Sequence, residues 1–176
     1  MDLREFLADN LKWVRQATMN MTKDLTPEQL RWQPGAEANH IGYLLFHTFR
    51  GEDRLFHTWV SKEGEIWERE GWAGRFQLPV PPAGAPDTWS AGAWPGRIAA
   101  SWQPPALDLL HSYGEAVRKR TLDSLPRLDL ARLNEHPRPD RPQLTVLTLL
   151  EIVPQHEAQH QGQIDYLLGL MKDAHA

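Results

Sequence analysis

The sequence predicts an all-α protein, a four-helix bundle with a long crossover between its second and third helices. Three observations carry that prediction. Four segments place apolar residues at steps of three and four, the period of a helix with one buried face. No segment alternates strongly enough to require a sheet. The second and third helical segments are separated by some 43 residues, Lys62 to Pro104, far more than a hairpin link needs.

Helix one is predicted from Asp2 to about Met21, with Leu3, Phe6, Leu7, Leu11 and Val14 in helical register. Thr26, Pro27 and Gln29 then have the order of a capping box with proline at the first helical position, so a short turn of helix is expected before Trp32-Gln33-Pro34-Gly35 ends it. Helix two is predicted from about Ala38 to Ser61 around Ile41, Leu44, Leu45, Leu55 and Val60. Such a helix is roughly 36 Å long. If helices two and three run parallel, about ten extended residues are needed simply to return along the bundle. The remainder of the crossover, with Trp67, Trp72, Trp89, Trp94 and Trp102, is expected to fold over the bundle end and wall a pocket, since packed irregular segments carry aromatics and disordered ones do not. Helix three follows from about Pro105 to Leu125 (Leu107, Leu110, Tyr113, Val117, Leu122). Helix four runs from about Thr145 to Lys172, with Pro154 inside it expected to kink the chain.

Length and composition bound the function. At 176 residues the chain is expected to be one domain, residues 1–176. A net charge of −4, spread without blocks, argues against a nucleic-acid partner. No run approaches a membrane span, and the charged start Met-Asp-Leu-Arg-Glu-Phe lacks the apolar stretch of a secretory signal, so a cytoplasmic protein is expected. There is no cysteine, and any thiol chemistry requires a thiol from outside the protein.

The chemistry-bearing residues are histidines. His156 and His160 are four apart in helix four and share one face, so their imidazoles can converge on one ion. His47 lies in the apolar-periodic part of helix two. Burying three imidazoles costs free energy unless each has a partner, and a divalent metal with an open fourth position supplies one. Against this stands the bland reading of a surface or capping pair with an unrelated core histidine. His40 either caps helix two or lines the pocket. Arg50, with Asp53 three residues on, is either part of a surface ladder or an anion-binding arginine beside the metal. Gln163 either lines the pocket or orients a ligand histidine from behind. His57 is expected at the periphery and Glu157 in solvent, each from its angle around its helix. Gly162 is a candidate for close helix approach. His111, His136 and His175 have no partner pattern.

Two stretches carry a family resemblance. Asn39-His40-Ile41-Gly42-Tyr43-Leu44-Leu45-Phe46-His47 resembles the helix-two motif of the DinB-like superfamily of damage-inducible proteins. His156-Glu157-Ala158-Gln159-His160-Gln161-Gly162-Gln163-Ile164 resembles its helix-four signature, His-x-x-x-His-x-Gly-Gln-Ile, and Trp32-Gln33-Pro34 and Tyr113-Gly114-Glu115 fall where such proteins carry similar residues. The resemblance implies up-down-down-up connectivity and a divalent metal, zinc or nickel, on His47, His156 and His160. Some relatives are transferases using an external low-molecular-weight thiol such as bacillithiol or mycothiol, or a maleylpyruvate isomerase. The resemblance therefore implies a metal-dependent thiol transferase or hydrolase-like enzyme acting on a small molecule. The alternative is a non-catalytic metal-bound stress-response or binding protein. A homodimer is the assembly such bundles commonly form.

Overall fold

The computed structural model describes residues 2–86, 88–89 and 92–173, so the expectation for His175 lies outside the described residues. The described residues contain helices and no strand. Helix α1, Leu3–Thr22, starts at an Asp2 cap whose carboxylate accepts from the Arg4 and Glu5 amides while Glu5 reaches back to the Asp2 amide. The short α2, Pro27–Arg31, begins with the capping box expected of Thr26 and Gln29. Helix two of the sequence reading is two pieces in the structure: α3, Ile41–Glu52, and a π-helical continuation, Asp53–Val60. The Ser61 amide donates to the Phe56 carbonyl at 2.9 Å, the five-residue step of that wider turn. The crossover contains α4, Ile66–Arg69, a 3-10 turn at Ala73–Arg75, and α5, Gly96–Ser101. Helices α6, Leu107–Ser124, and α7, Val146–Asp173, complete the bundle.

Side-chain contacts fix the directions. Leu7 and Leu11 share an apolar cluster with Leu149, Leu150 and Val153, and further on Thr18 bonds Glu157, so α1 and α7 run parallel. Arg118 donates to the Leu11 carbonyl and Thr22 meets His111 at 2.9 Å, so α6 is antiparallel to α1. Glu52 pairs with Arg118, and five residues on His57 meets Thr121, so α3 and α6 run parallel. The order is up-down-down-up.

Two apolar clusters fill the interior. One joins Leu7, Leu11, Phe56, Val60, Leu125, Val146 and Leu149. The other joins Leu44, Phe46, Phe49, Leu110, Tyr113, Ile164 and the crossover tryptophans, Trp67, Trp72, Trp89, Trp94 and Trp102. Charge is buried as well. Arg15 of α1, Glu52 of α3, Arg118 of α6 and Glu157 of α7, one from each bundle helix, are each at most 4% exposed and pair at 2.6–2.9 Å. Two cations against two anions leave no net charge, and each pairing crosses between helices, so the quartet ties the register of all four. Glu157 is thus a buried ion-pair partner and not the solvated residue its angle suggested. Four residues separate Leu11, Arg15 and, one short of a further step, Thr18 on the buried face of α1, a periodicity that marks Arg15 as internal.

Candidate metal centre

His47 sits in the second turn of α3, and His156 and His160 on successive turns of α7, antiparallel to it. The Nε2 of His156 lies 3.2 Å from that of His47 and 3.1 Å from that of His160. All three rings are half-buried, leaving the group open to solvent on one side. The Nδ1–H of His160 donates to Gln163 Oε1 at 2.8 Å, which fixes the tautomer and leaves its Nε2 lone pair pointing inward. Burial, reinforced by the neighbouring His47 and His160, holds the His156 imidazole down at about 3, and burial lowers His160 against the opposing pull of Gln163. His156 and His160 are therefore held towards the neutral form, the one that ligates.

The donor set fits a divalent cation. One proton on His156 Nε2 can serve only one of its two short contacts, so three neutral imidazoles leave lone pairs facing each other. A central cation satisfies all of them. Tetrahedral bonds of about 2.0–2.1 Å place neighbouring nitrogens about 3.3 Å apart, close to the spacing seen. Three protein nitrogens leave the fourth position open.

The surroundings explain how the rings are held. Gly51, one helical turn beyond His47, lies under His156: a Cβ there would stand 3.0 Å from Cε1 and 3.2 Å from Nδ1 of that ring. Tyr43, a turn before His47, stacks on it at 5.6 Å, donates from its hydroxyl to the Gly92 carbonyl at 2.8 Å, and packs on Trp94 at 5.7 Å. Gly92 has φ 75° and leaves no room for a side chain, since a Cβ would meet Phe46 at 3.0 Å and His47 Cα at 3.7 Å. The crossover thus reaches the histidines and forms a wall beside them. A larger cleft of ≈ 710 Å³ on its outer side, at Val80, Trp89 and Arg97, is not lined by them.

The other sequence candidates lie as follows. His40 caps α3, its Nδ1 accepting from the Tyr43 amide at 3.0 Å, while Nε2–H donates to the Trp102 carbonyl at 2.9 Å; burial lowers its pKa. It ties the crossover to α3 and does not join the three histidines. Arg50 is fully buried, pairs with Asp53 at 3.0 Å and Glu65 at 2.7 Å, and stacks on Trp67, so its guanidinium is committed to carboxylates and is not part of a surface ladder. His57 is buried too, with Nδ1 2.7 Å from Asp53 Oδ1, a correction to its expected place at the periphery. That expectation assumed α-helical rotation up to Ser61, and the π turn alters it. Asp53 also accepts from Tyr113 at 2.7 Å and from the Ile66 and Trp67 amides at 3.0 Å, which anchors the start of α4. His111 bonds Thr22, and His136 is exposed. Gly162 has nothing near its Cβ position, so among the described residues no helix approaches it closely.

The sequence profile of the DinB superfamily matches residues 10–164, a span that includes all three histidines and all four bundle helices. The chain belongs to the DinB superfamily. Among solved structures, a protein from Enterococcus faecalis described as a conserved protein of locus superposes with a TM-score of 0.80, covering 95% of each chain at 18% identity. At that identity the likeness shows the fold alone. No curated protein matches this chain. Among the described residues of this DinB-superfamily protein, no helix is long and apolar enough to cross a membrane.

Proposed function

We propose that this DinB-superfamily protein is a metal-dependent enzyme that activates a low-molecular-weight thiol, or water, against a small electrophilic substrate. The observation that carries this reading is the convergence of three imidazole nitrogens, from two helices, on half-buried rings. When bound there, a divalent cation such as zinc or nickel supplies Lewis acidity, enough to make a thiol or water nucleophilic at neutral pH. The chain has no thiol of its own, so the nucleophilic sulfur comes from a cosubstrate.

The residues around the site have distinct tasks. Gln163 holds the proton of His160 on Nδ1 and so keeps Nε2 as a donor. Gly51 gives His156 the space to lie against α3. Tyr43, braced by Gly92 and Trp94, keeps the His47 ring from turning and screens that side from water. The open edge is left for substrate and cosubstrate.

The test uses untagged protein. Zinc or nickel is expected to bind one per chain, with occupancy falling sharply in His47→Ala, His156→Ala and His160→Ala. Turnover of a model electrophile is expected to require both metal and added thiol. Full stoichiometric metal at unchanged affinity in the triple variant refutes the site. Tight metal binding without turnover of any thiol or hydrolytic substrate refutes the enzyme and leaves a metal-bound binding protein.

A further inference from the structure

Helix α3 and its π-helical continuation are buried on every side but one. Over residues 41–60 the half-exposed residues are His47, Gly51, Arg54, Leu55, Thr58 and Trp59. Leu55 and Trp59 pack on the apolar cluster that contains Phe56 and Leu149. The other four, at steps of four, three and four, form one strip that starts at the His47 ring and runs along the axis. Tyr43 and Trp94 wall the end beside His47. Arg54 is the charged residue of the strip, about 10 Å along it from His47. Its side chain is 21% exposed and its guanidinium stands 3.6 Å from Glu65 Oε1, an ion pair longer than a hydrogen bond. Thr58 donates to that same oxygen at 3.1 Å, and Arg50 donates to the other at 2.7 Å. Glu65 is therefore held by Arg50 and Thr58, and its contact with Arg54 is the longest of the three.

We propose that Arg54 is a specificity-determining residue, and that the strip takes a thiol whose far end carries a carboxylate. This rests on the reading of the three histidines as a metal centre that activates a thiol. With Tyr43 and Trp94 beside His47, the direction left to a molecule held at the histidines is along the strip, and its far end arrives at the level of Arg54. Charge supports an anion there. Glu52, Asp53 and Glu157 are buried against their own cations, and Glu151 lines the groove on the α1 side of α7. The solvent-reached residues of α7 beside His156 and His160, namely Ile152, Gln159 and Gln163, are uncharged. Ligating imidazoles carry no charge, so a divalent cation would make the strip positive at its head, and Arg54 makes it positive further on. A thiolate answers only the first of these charges. A carboxylate answers the second, and the planar fork of a guanidinium matches it with two parallel hydrogen bonds. Turning Arg54 to such a group gives up a 3.6 Å contact and leaves Glu65 on Arg50 and Thr58.

The probes are 6-mercaptohexanoate and 6-mercaptohexanamide, alike except for the terminal charge. Each is titrated into the full chain loaded with cobalt(II), whose absorption gains a sulfur-to-metal band when a thiolate ligates. The natural sequence is expected to bind the carboxylate about tenfold more tightly than the amide at low salt, with the preference shrinking as ionic strength rises. Arg54→Gln is expected to abolish the preference while cobalt stoichiometry and affinity for the amide stay as they were, and Arg54→Lys to keep part of it. Thioglycolate, whose carboxylate cannot leave the neighbourhood of the metal, should bind the natural chain and Arg54→Gln alike. Equal affinity for the two long thiols in the natural chain overturns the proposal, and that comparison needs no substitution, so a poorly folded variant does not obscure it. A preference that survives Arg54→Gln also overturns it, because another cation then makes the selection. In both cases cobalt and thiol still bind, and the reading of the metal centre stands. A chain that takes up no cobalt, or gives no sulfur-to-metal band with either thiol, overturns that reading and the role of Arg54 with it.

Discussion

Replacing Glu52 with glutamine tests whether the buried quartet holds the bundle together. Glu52 accepts from Arg118 at 2.9 Å through both oxygens and from Arg15 at 2.8 Å. Burial alone would push its carboxyl up, but the two guanidiniums outweigh that and bring it from the ordinary 4.5 down to about 2. That drop corresponds to about 3 kcal/mol of stability at neutral pH. The sign follows from a depressed folded value: the contribution is complete above about pH 4.5 and is lost as pH falls towards 2. With glutamine at position 52, Glu157 alone must offset two buried cations, and breaking such a network costs about 3–5 kcal/mol. For a chain of this size that is a fall in Tm of about 6–20 °C. Urea unfolding of both proteins from pH 7 to pH 2.5 is the assay. The stability gap should be constant down to about pH 4.5 and then close. A gap below about 1 kcal/mol at pH 7, or one equally large at pH 3, refutes the assignment of the quartet as a stabilising clamp.

Other consequences follow from the same geometry. Gly51→Ala places a methyl 3.0 Å from the His156 ring, so zinc affinity should fall about tenfold with little change in the helical circular dichroism; unchanged affinity would show that the ring moves aside at no cost. Metal binding should resist mild acid. Protons compete poorly with His156, held at about 3, and burial lowers His160 as well, so affinity by chelator competition should fall by less than tenfold from pH 7 to 6. A tenfold loss already at pH 6 would mean exposed, ordinary imidazoles. Loading with copper should quench tryptophan emission, and Trp94→Phe should remove part of that quenching, because Trp94 reaches His47 through one intervening ring. Equal quenching in the variant would place the reporting tryptophan elsewhere.

The helical period of α1, α6 and α7 was legible because one face of each is apolar throughout, and the crossover length alone implied parallel second and third helices. The three histidines were legible for the same reason: α-helical rotation places them on the inward side. Reading failed where that rotation, or the assumption that charge faces water, broke down. Val60 and Phe56 kept an apolar rhythm through the π turn, so nothing marked the place where His57 turned inward. Arg50, Asp53, Arg118 and Glu157 are charged residues next to apolar ones, and sequence alone does not say which of two adjacent faces is buried. Only the three-dimensional pairing shows that each charge has its partner, and without partners such burial is prohibitive. A signal was present in Arg15, which recurs four residues after Leu11 and three before Thr18, in step with the core.

Placing the quartet next to the histidines has a mechanical consequence. His156 and Glu157 are adjacent in α7 and point about 100° apart. Glu157 is gripped by Arg15 and Arg118, and Gln161, one turn on, bonds Thr18 of α1 at 2.7 Å. Sliding α7 by one residue would shift it about 1.5 Å and rotate its faces by about 100°, bringing Glu157 towards His47 in place of His156. The ion pairs resist that slip because it would leave Glu52 alone to offset two buried guanidiniums. Imidazoles from two antiparallel helices can meet within 3.2 Å only if the register between those helices is fixed. Apolar side chains alone tolerate repacking, whereas paired charges tie each helix to one position. In this chain the clamp and the histidine are consecutive residues, so the group that fixes the register of α7 also fixes the height of the first histidine of the cluster.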